Sequence, residues 1–84
     1  MKHFVYLLVS SNKKKTFSYV GYTNDIKKRV TLHNRGKGAK FTRGKKWKLI
    51  YHKEYSSKQR AMQEEYKLKN NYKLRKLIKI KNGF

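Results

Sequence analysis

Apolar and polar positions divide this 84-residue chain into short blocks of different period. His3 to Ser10 (HFVYLLVS) is a compact run rich in aromatic and β-branched residues, too short for a helix, and it predicts a buried strand. A polar turn over Ser11–Thr16 separates it from a second strand over Phe17–Tyr22, and the pair predicts an antiparallel hairpin. Gly21 within the second strand marks a point where a backbone or ligand approaches closely.

The period then changes. Thr23 or Asn24 is the expected cap of a helix with Asp25 in its first turn, Ile26 and Val30 on its inner stripe and a glycine-ended stop near Asn34-Arg35-Gly36. Gly36–Lys46 reads as a basic, glycine-punctuated, flexible loop, with a plain solvated loop as the bland alternative. Trp47–Glu54 predicts a third strand carrying Trp47, Leu49 and Tyr51 on one face. Ser56 and Gln59 have the spacing of a capping box for a second helix, on which Ala61, Met62, Glu65, Leu68 and even Tyr72 would share a face. Asn70-Asn71 interrupts it, and Leu74, Leu77 and Ile78 predict a short amphipathic helix over residues 71–81. The order ββαβαα predicts one α+β domain, a small three-stranded, largely antiparallel sheet flanked by helices, with its core over about residues 2–70.

Composition changes this picture in one respect. Twenty-four Lys and Arg face four acids, for a formal net charge of +20. Self-repulsion on that scale points to a polyanionic partner, with nucleic acid first because phosphate contacts release condensed counterions. DNA is the expected partner and RNA the alternative. Lysine-rich codon usage explains part of the excess, since nineteen of the cations are Lys. The lysines are spread over every segment, which argues against a membrane-surface helix. With no membrane-length apolar run and no leader pattern, the chain is expected to be soluble and cytoplasmic, and a monomer by default. There is no cysteine, so disulfides, thiolate zinc sites and cysteine nucleophiles are excluded.

The scarcity of acids also bounds the chemistry. Asp25 is explained by a helix start, Glu54 ends a strand, and Glu64 is expected to face water. Glu65 lies on the apolar face of its helix, where a carboxylate needs a cation: Arg29, a lysine, or a metal. A single inward carboxylate cannot hold two metals, but it can hold one Mg²⁺ that keeps most of its waters. Arg29 and His33, one turn apart on one helix face, could brace a phosphate and accept a proton. Tyr6 or Tyr19 could activate water if a neighbouring cation favoured the phenolate. Each residue also has a bland reading: Tyr6 and Tyr19 as core tyrosines, Arg29 as a partner of Asp25 or Glu65, His33 as a helix-dipole partner.

The order of these segments resembles the GIY-YIG nuclease superfamily, in its small stand-alone bacterial branch, over about residues 2–70. Val5-Tyr6-Leu7 takes the place of the first motif and Tyr19-Val20-Gly21 that of the second. Arg29 and His33 match the helix arginine and histidine. Asn34-x-Gly36-x-Gly38-Ala39-Lys40-Phe41-Thr42-Arg43-Gly44 is similar to the loop of this branch, and Ala61-Met62-x-x-Glu65-x-x-Leu68-Lys69 to the helix with the metal-binding glutamate. The resemblance implies a nuclease cutting DNA phosphodiesters with one Mg²⁺ or Mn²⁺, directed by structure rather than sequence. It implies Tyr6 as leading general base supported by Tyr19 and His33, Arg29 at the transition state, and Glu65 on the metal, and these five are expected to converge on one concave face of the sheet. Gly21 would let backbone pass close to the scissile phosphate, and Lys37, Lys40, Arg43, Lys45 and Lys46 would track nucleic acid. The chain departs from the pattern at Val5, which replaces the leading glycine, and at Tyr22, where some relatives carry lysine. A non-catalytic nucleic-acid-binding module on the same scaffold is the alternative function.

Overall fold

The computed structural model describes residues 2–84. Strands β1 (His3–Ser11) and β2 (Thr16–Thr23) form the expected hairpin, followed by helix α1 (Ile26–Asn34), strand β3 (Lys48–Tyr55) and helices α2 (Lys58–Lys69) and α3 (Tyr72–Lys81). The sheet has the order β2-β1-β3 and is antiparallel throughout. The hairpin turn is tighter than expected because the Asn12 side chain accepts from the Lys14 and Lys15 amides, both at 2.8 Å.

Central strand β1 is buried from Val5 to Ser10, and its alternation divides the core in two. Val5 and Leu7 join Val20, Ala61 and Leu68 on the face covered by α2, with Ile78 of α3 packed at its margin. Tyr6 and Leu8 join Trp47 on the other face, with Tyr19, Val30 of α1 and Leu49 against them. Burying one such large apolar side chain contributes about 1.5–3 kcal/mol, so β1 anchors the domain from both sides.

Four local expectations are corrected. Helix α1 is capped by Asp25, whose carboxylate accepts from the Lys28 amide at 3.1 Å, while Thr23 Oγ1 accepts from the Asp25 amide. Asp25 therefore precedes the first turn. Helix α2 is capped by Ser57, one residue later than expected, through Oγ and the Arg60 amide. The buried edge of α2 is Ala61 and Leu68 with half-buried Glu64 and Glu65; Met62 and Tyr72 are exposed. Finally, Trp47, Leu49 and Tyr51 do not share a face. Leu8 pairs with Leu49 but Leu7 pairs with Tyr51, so Ile50 is an extra residue in a β-bulge. The bulge turns Tyr51 to the α2 side while Trp47 and Leu49 stay beside Tyr6.

Candidate active site

The site grows from Tyr6. Its partner across the hairpin is Gly21, and a Cβ at Gly21 would collide with the Tyr6 Oη and Cζ. The close approach expected at Gly21 is thus filled by the Tyr6 ring, which lies over the bare backbone of edge strand β2. Helix α1 brings His33 against it, and Tyr6 Oη and His33 Nε2 are 2.8 Å apart. His33 is fully buried and Tyr6 1% exposed. On the far side of the imidazole, Nδ1 lies 2.9 Å from Thr42 Oγ1. The Thr42 hydroxyl donates to the Ala39 carbonyl at 2.9 Å, so it meets His33 as an acceptor and Nδ1 carries the imidazole proton. Nε2 is left as an acceptor for the Tyr6 hydroxyl. A directed chain results: Tyr6 to His33 to Thr42 to Ala39.

The 36–46 loop is pinned, contrary to the expectation of flexibility. Trp47 Nε1 donates to the Thr42 carbonyl at 2.9 Å, and the Asn34 amide both donates to and accepts from the Trp47 backbone. Gly38 is required where the loop crosses the imidazole, since a Cβ there would lie 2.7 Å from His33 Cγ. Thr42, Asn34 and Gly38 shape the surroundings of His33 and Trp47, and the sequence assigned them no individual role. The signal for Thr42 is faint: an uncharged hydroxyl among lysines and glycines.

Tyr19 closes the aromatic group, with ring centroids 4.9 Å from His33 and 6.4 Å from Tyr6. Arg29 donates to the Gly38 carbonyl at 3.4 Å, and its buried Nε has no hydrogen-bond partner. Among the described residues Arg29 makes no ion pair, so pairing with Asp25 or Glu65 is not what holds it. His33 sits in the last turn of α1, but burial and the nearby Arg29 charge push its pKa down, so it is neutral and not a dipole cation. Burial pushes the Tyr6 phenol up to about 12; Arg29 pulls it the other way, and Tyr19 and Glu65 add to the rise. The expected stabilisation of the phenolate is therefore reversed, since desolvation outweighs the cation.

The expected convergence of all five residues on one face is corrected for Glu65, whose helix α2 packs on the other side of the sheet because Ala61 and Leu68 bury against Val5, Leu7 and Val20. Tyr6, Tyr19, Arg29 and His33 gather on the α1 face, whereas α2 packs on the opposite one and against β2. The Glu65 carboxylate nevertheless acts on the Tyr6 hydroxyl electrostatically. Its side chain is 21% exposed, and Oε1 lies 3.5 Å from Lys69 Nζ. An i,i+4 pair of this kind contributes about 0.3–0.5 kcal/mol, too little to keep the carboxylate from a stronger cation. Glu64 is not simply solvated: it bonds Arg60 and Lys67. The described residues contain no group of three or more His, Cys, Asp or Glu that could hold a metal. A divalent ion would thus be a one-carboxylate ligand completed by water and phosphate, a donor set that suits Mg²⁺ or Mn²⁺.

Of the basic positions, Lys37, Lys40, Arg43 and Lys46 are exposed, and Lys45 is half-buried with Nζ donating to the Phe41 carbonyl at 3.2 Å. No helix among the described residues is long and apolar enough to cross a membrane.

A family model described as the GIY-YIG catalytic domain matches residues 2–78, which takes in most of α3. A UPF0213 protein of Oceanobacillus iheyensis is 40% identical over 77 residues, 90% of this chain and 86% of the relative. A UPF0213 protein of Staphylococcus epidermidis is 37% identical over 83 residues, 98% of each chain. The solution NMR structure of a UPF0213 protein from Bacillus halodurans is similar with a TM-score of 0.55 at 38% identity, covering 99% of this chain and 88% of that one.

Proposed function

This chain belongs to the GIY-YIG domain family, and on that premise we propose that it hydrolyses nucleic-acid phosphodiester bonds, DNA first, with one Mg²⁺ or Mn²⁺. The observation that carries the reading is the buried Tyr6–His33 hydrogen bond, with Tyr19 beside it and Arg29 on the same helix as His33. Tyr6 Oη is bonded to His33 and subject to the charges of Arg29 and Glu65, with Tyr19 alongside.

A phenol held up at about 12 does not begin as phenolate at neutral pH. Tyr6 acts instead as a relay. As a water oxygen bonds to phosphorus, the water proton passes to Tyr6 Oη and the Tyr6 proton passes to His33 Nε2. The resulting imidazolium keeps its Nδ1–H on Thr42. The phosphorus bond to the leaving oxygen breaks, and that oxygen takes a proton from solvent. His33, neutral at rest because its pKa is lowered, has the acceptor site this path needs. Arg29, with an unsatisfied Nε, supplies hydrogen bonds to the phosphoryl oxygens as charge builds on them. Glu65 would hold the metal, which supplies positive charge to the phosphate when bound. On this reading recognition follows the shape or ends of the substrate rather than its base sequence.

The test is a cleavage panel over branched, nicked, single-stranded and duplex DNA and RNA with Mg²⁺ or Mn²⁺. Glu65→Gln is expected to lose cutting while binding is kept. A wild-type protein that binds throughout the panel and never cuts overturns the nuclease and leaves a binding module.

A further inference from the structure

Phe41 stands beside this site and no step above uses it. It is a large apolar side chain, yet 50% exposed. Its ring stacks on Tyr19 at 6.4 Å with 21° between planes, meets Phe17 edge-on at 6.3 Å, and lies 6.1 Å from Trp47. It is held rigidly, because the next residue, Thr42, is bonded to both His33 and Trp47. Lys45 Nζ lies 5.2 Å from its centroid, and Lys40, Arg43 and Lys46 of the same loop are exposed cations. No acid occurs in the sequence from residue 26 to residue 53.

The bland role of Phe41 is to cover Trp47 and Tyr19. That role needs only an apolar side chain, and it does not explain why half of an aromatic surface lies open on a loop rich in cations. An apolar protein partner would have to strip water from those cations at a cost, whereas a phosphate strand neutralises them. Stacked bases inside a duplex have no free face to offer. Charge and shape together select an unpaired base.

We propose that Phe41 is a stacking platform for one unpaired nucleobase, placed next to Tyr19 so that single-stranded or frayed nucleic acid is favoured over paired duplex at the site. The proposal rests on the nucleic-acid reading above and gives it a substrate class. A cation–π contact such as that of half-buried Lys45 is worth about 0.5–2 kcal/mol, and base–aromatic stacking about 1–3 kcal/mol. A base can therefore displace the ammonium, which is then placed to meet the phosphate. Because the ring is already fixed, little ordering cost is added.

The experiment measures fluorescence anisotropy of a labelled oligothymidine and of a blunt, G·C-clamped duplex, in EDTA so that nothing is cut. Phe41→Ala and Phe41→Leu are each expected to weaken oligothymidine binding roughly ten-fold or more. Duplex affinity and the salt slope should stay near wild type, and Phe41→Trp should retain binding. Phe41→Leu keeps the apolar cover, and melting temperature and Trp47 emission verify that it is folded. Wild-type affinity in Phe41→Leu, or equal losses for both nucleic acids, overturns the platform. Absence of cutting by wild-type protein with Mg²⁺ would instead remove the nuclease and leave this binding result standing.

Discussion

On one face of the sheet, β1 contributes Val5 and Leu7 to a buried core of aliphatic side chains under α2, with Tyr22, Tyr51 and Tyr55 packed half-buried at its margin. On the other it contributes Tyr6 to a core of rings joined by hydrogen bonds to His33, Thr42 and Trp47. The first face needs only volume and exclusion of water. The second also depends on hydrogen bonds, because an unpaired buried polar group costs about 1–3 kcal/mol, and there only Arg29 Nε is left without a partner among the described residues. In a domain with so little core, that contrast assigns work: one face holds the fold and the other holds the chemistry and is stabilised only while its hydrogen bonds close.

The contrast is broken most sharply at Tyr6. Tyr6→Phe keeps the ring over Gly21 and removes one oxygen, leaving His33 Nε2 without its partner. Cutting is expected to fall about 10²–10⁴-fold, the span of a lost general acid–base group. Stability should fall by only about 1–3 kcal/mol. Matched turnover and denaturant curves check this, and full activity in a folded Tyr6→Phe protein would end the relay.

Leu7→Ala attacks the other face. Leu7 is fully buried, and its truncation is expected to cost about 2–5 kcal/mol of stability while cutting per folded molecule stays near wild type. Thermal melts beside active-fraction assays separate the two effects. A selective loss of turnover in the folded fraction would show that the faces are not independent.

A smaller effect sharpens the comparison through pH. The folded-state pKa of His33 is lowered, so the unfolded chain binds its proton first as pH falls. The stability from keeping His33 neutral is present above the ordinary histidine pKa of about 6.5. It is lost as pH drops from there through the lower folded value. Wild type should therefore destabilise on mild acidification more than a His33→Gln variant. Parallel acid dependence in the two melting series would contradict it. At the alkaline end the sign is opposite. The raised Tyr6 pKa contributes stability below about 10 that is lost as pH rises through about 12.

Much of this architecture can be read from local pattern. The aromatic and aliphatic density of His3–Ser10 specifies a central strand, and asparagine stops α2 and starts α3 by capping it through its side chain. Tyr6, Tyr19, Arg29 and His33 meet as their strand and helix periods imply. What local pattern misses is long-range or competitive. Asp25 displaces Thr23 and Asn24 as the cap because its carboxylate reaches the Lys28 amide. The role of Thr42 exists only once the loop has folded back over α1. The direction of the Tyr6 shift depends on how deeply the ring is buried, which charge composition does not reveal. Glu65 reads correctly as a carboxylate in need of a cation, but its position on the opposite layer depends on how α2 crosses the sheet.

The bulge at Ile50 carries a consequence for how sequences on this scaffold can change length. By inserting one residue, β3 shifts the phase of its side chains midway, so its start serves the aromatic layer and its middle serves the aliphatic one. Deleting Ile50 would leave the strand paired and restore strict alternation, with Leu49 still opposite Leu8 and Tyr51 still opposite Leu7, and would strip one aliphatic side chain from the α2 layer. The strand would survive such a deletion as hydrogen bonds and the ring layer would keep its residues, so the loss would fall on the α2 layer alone.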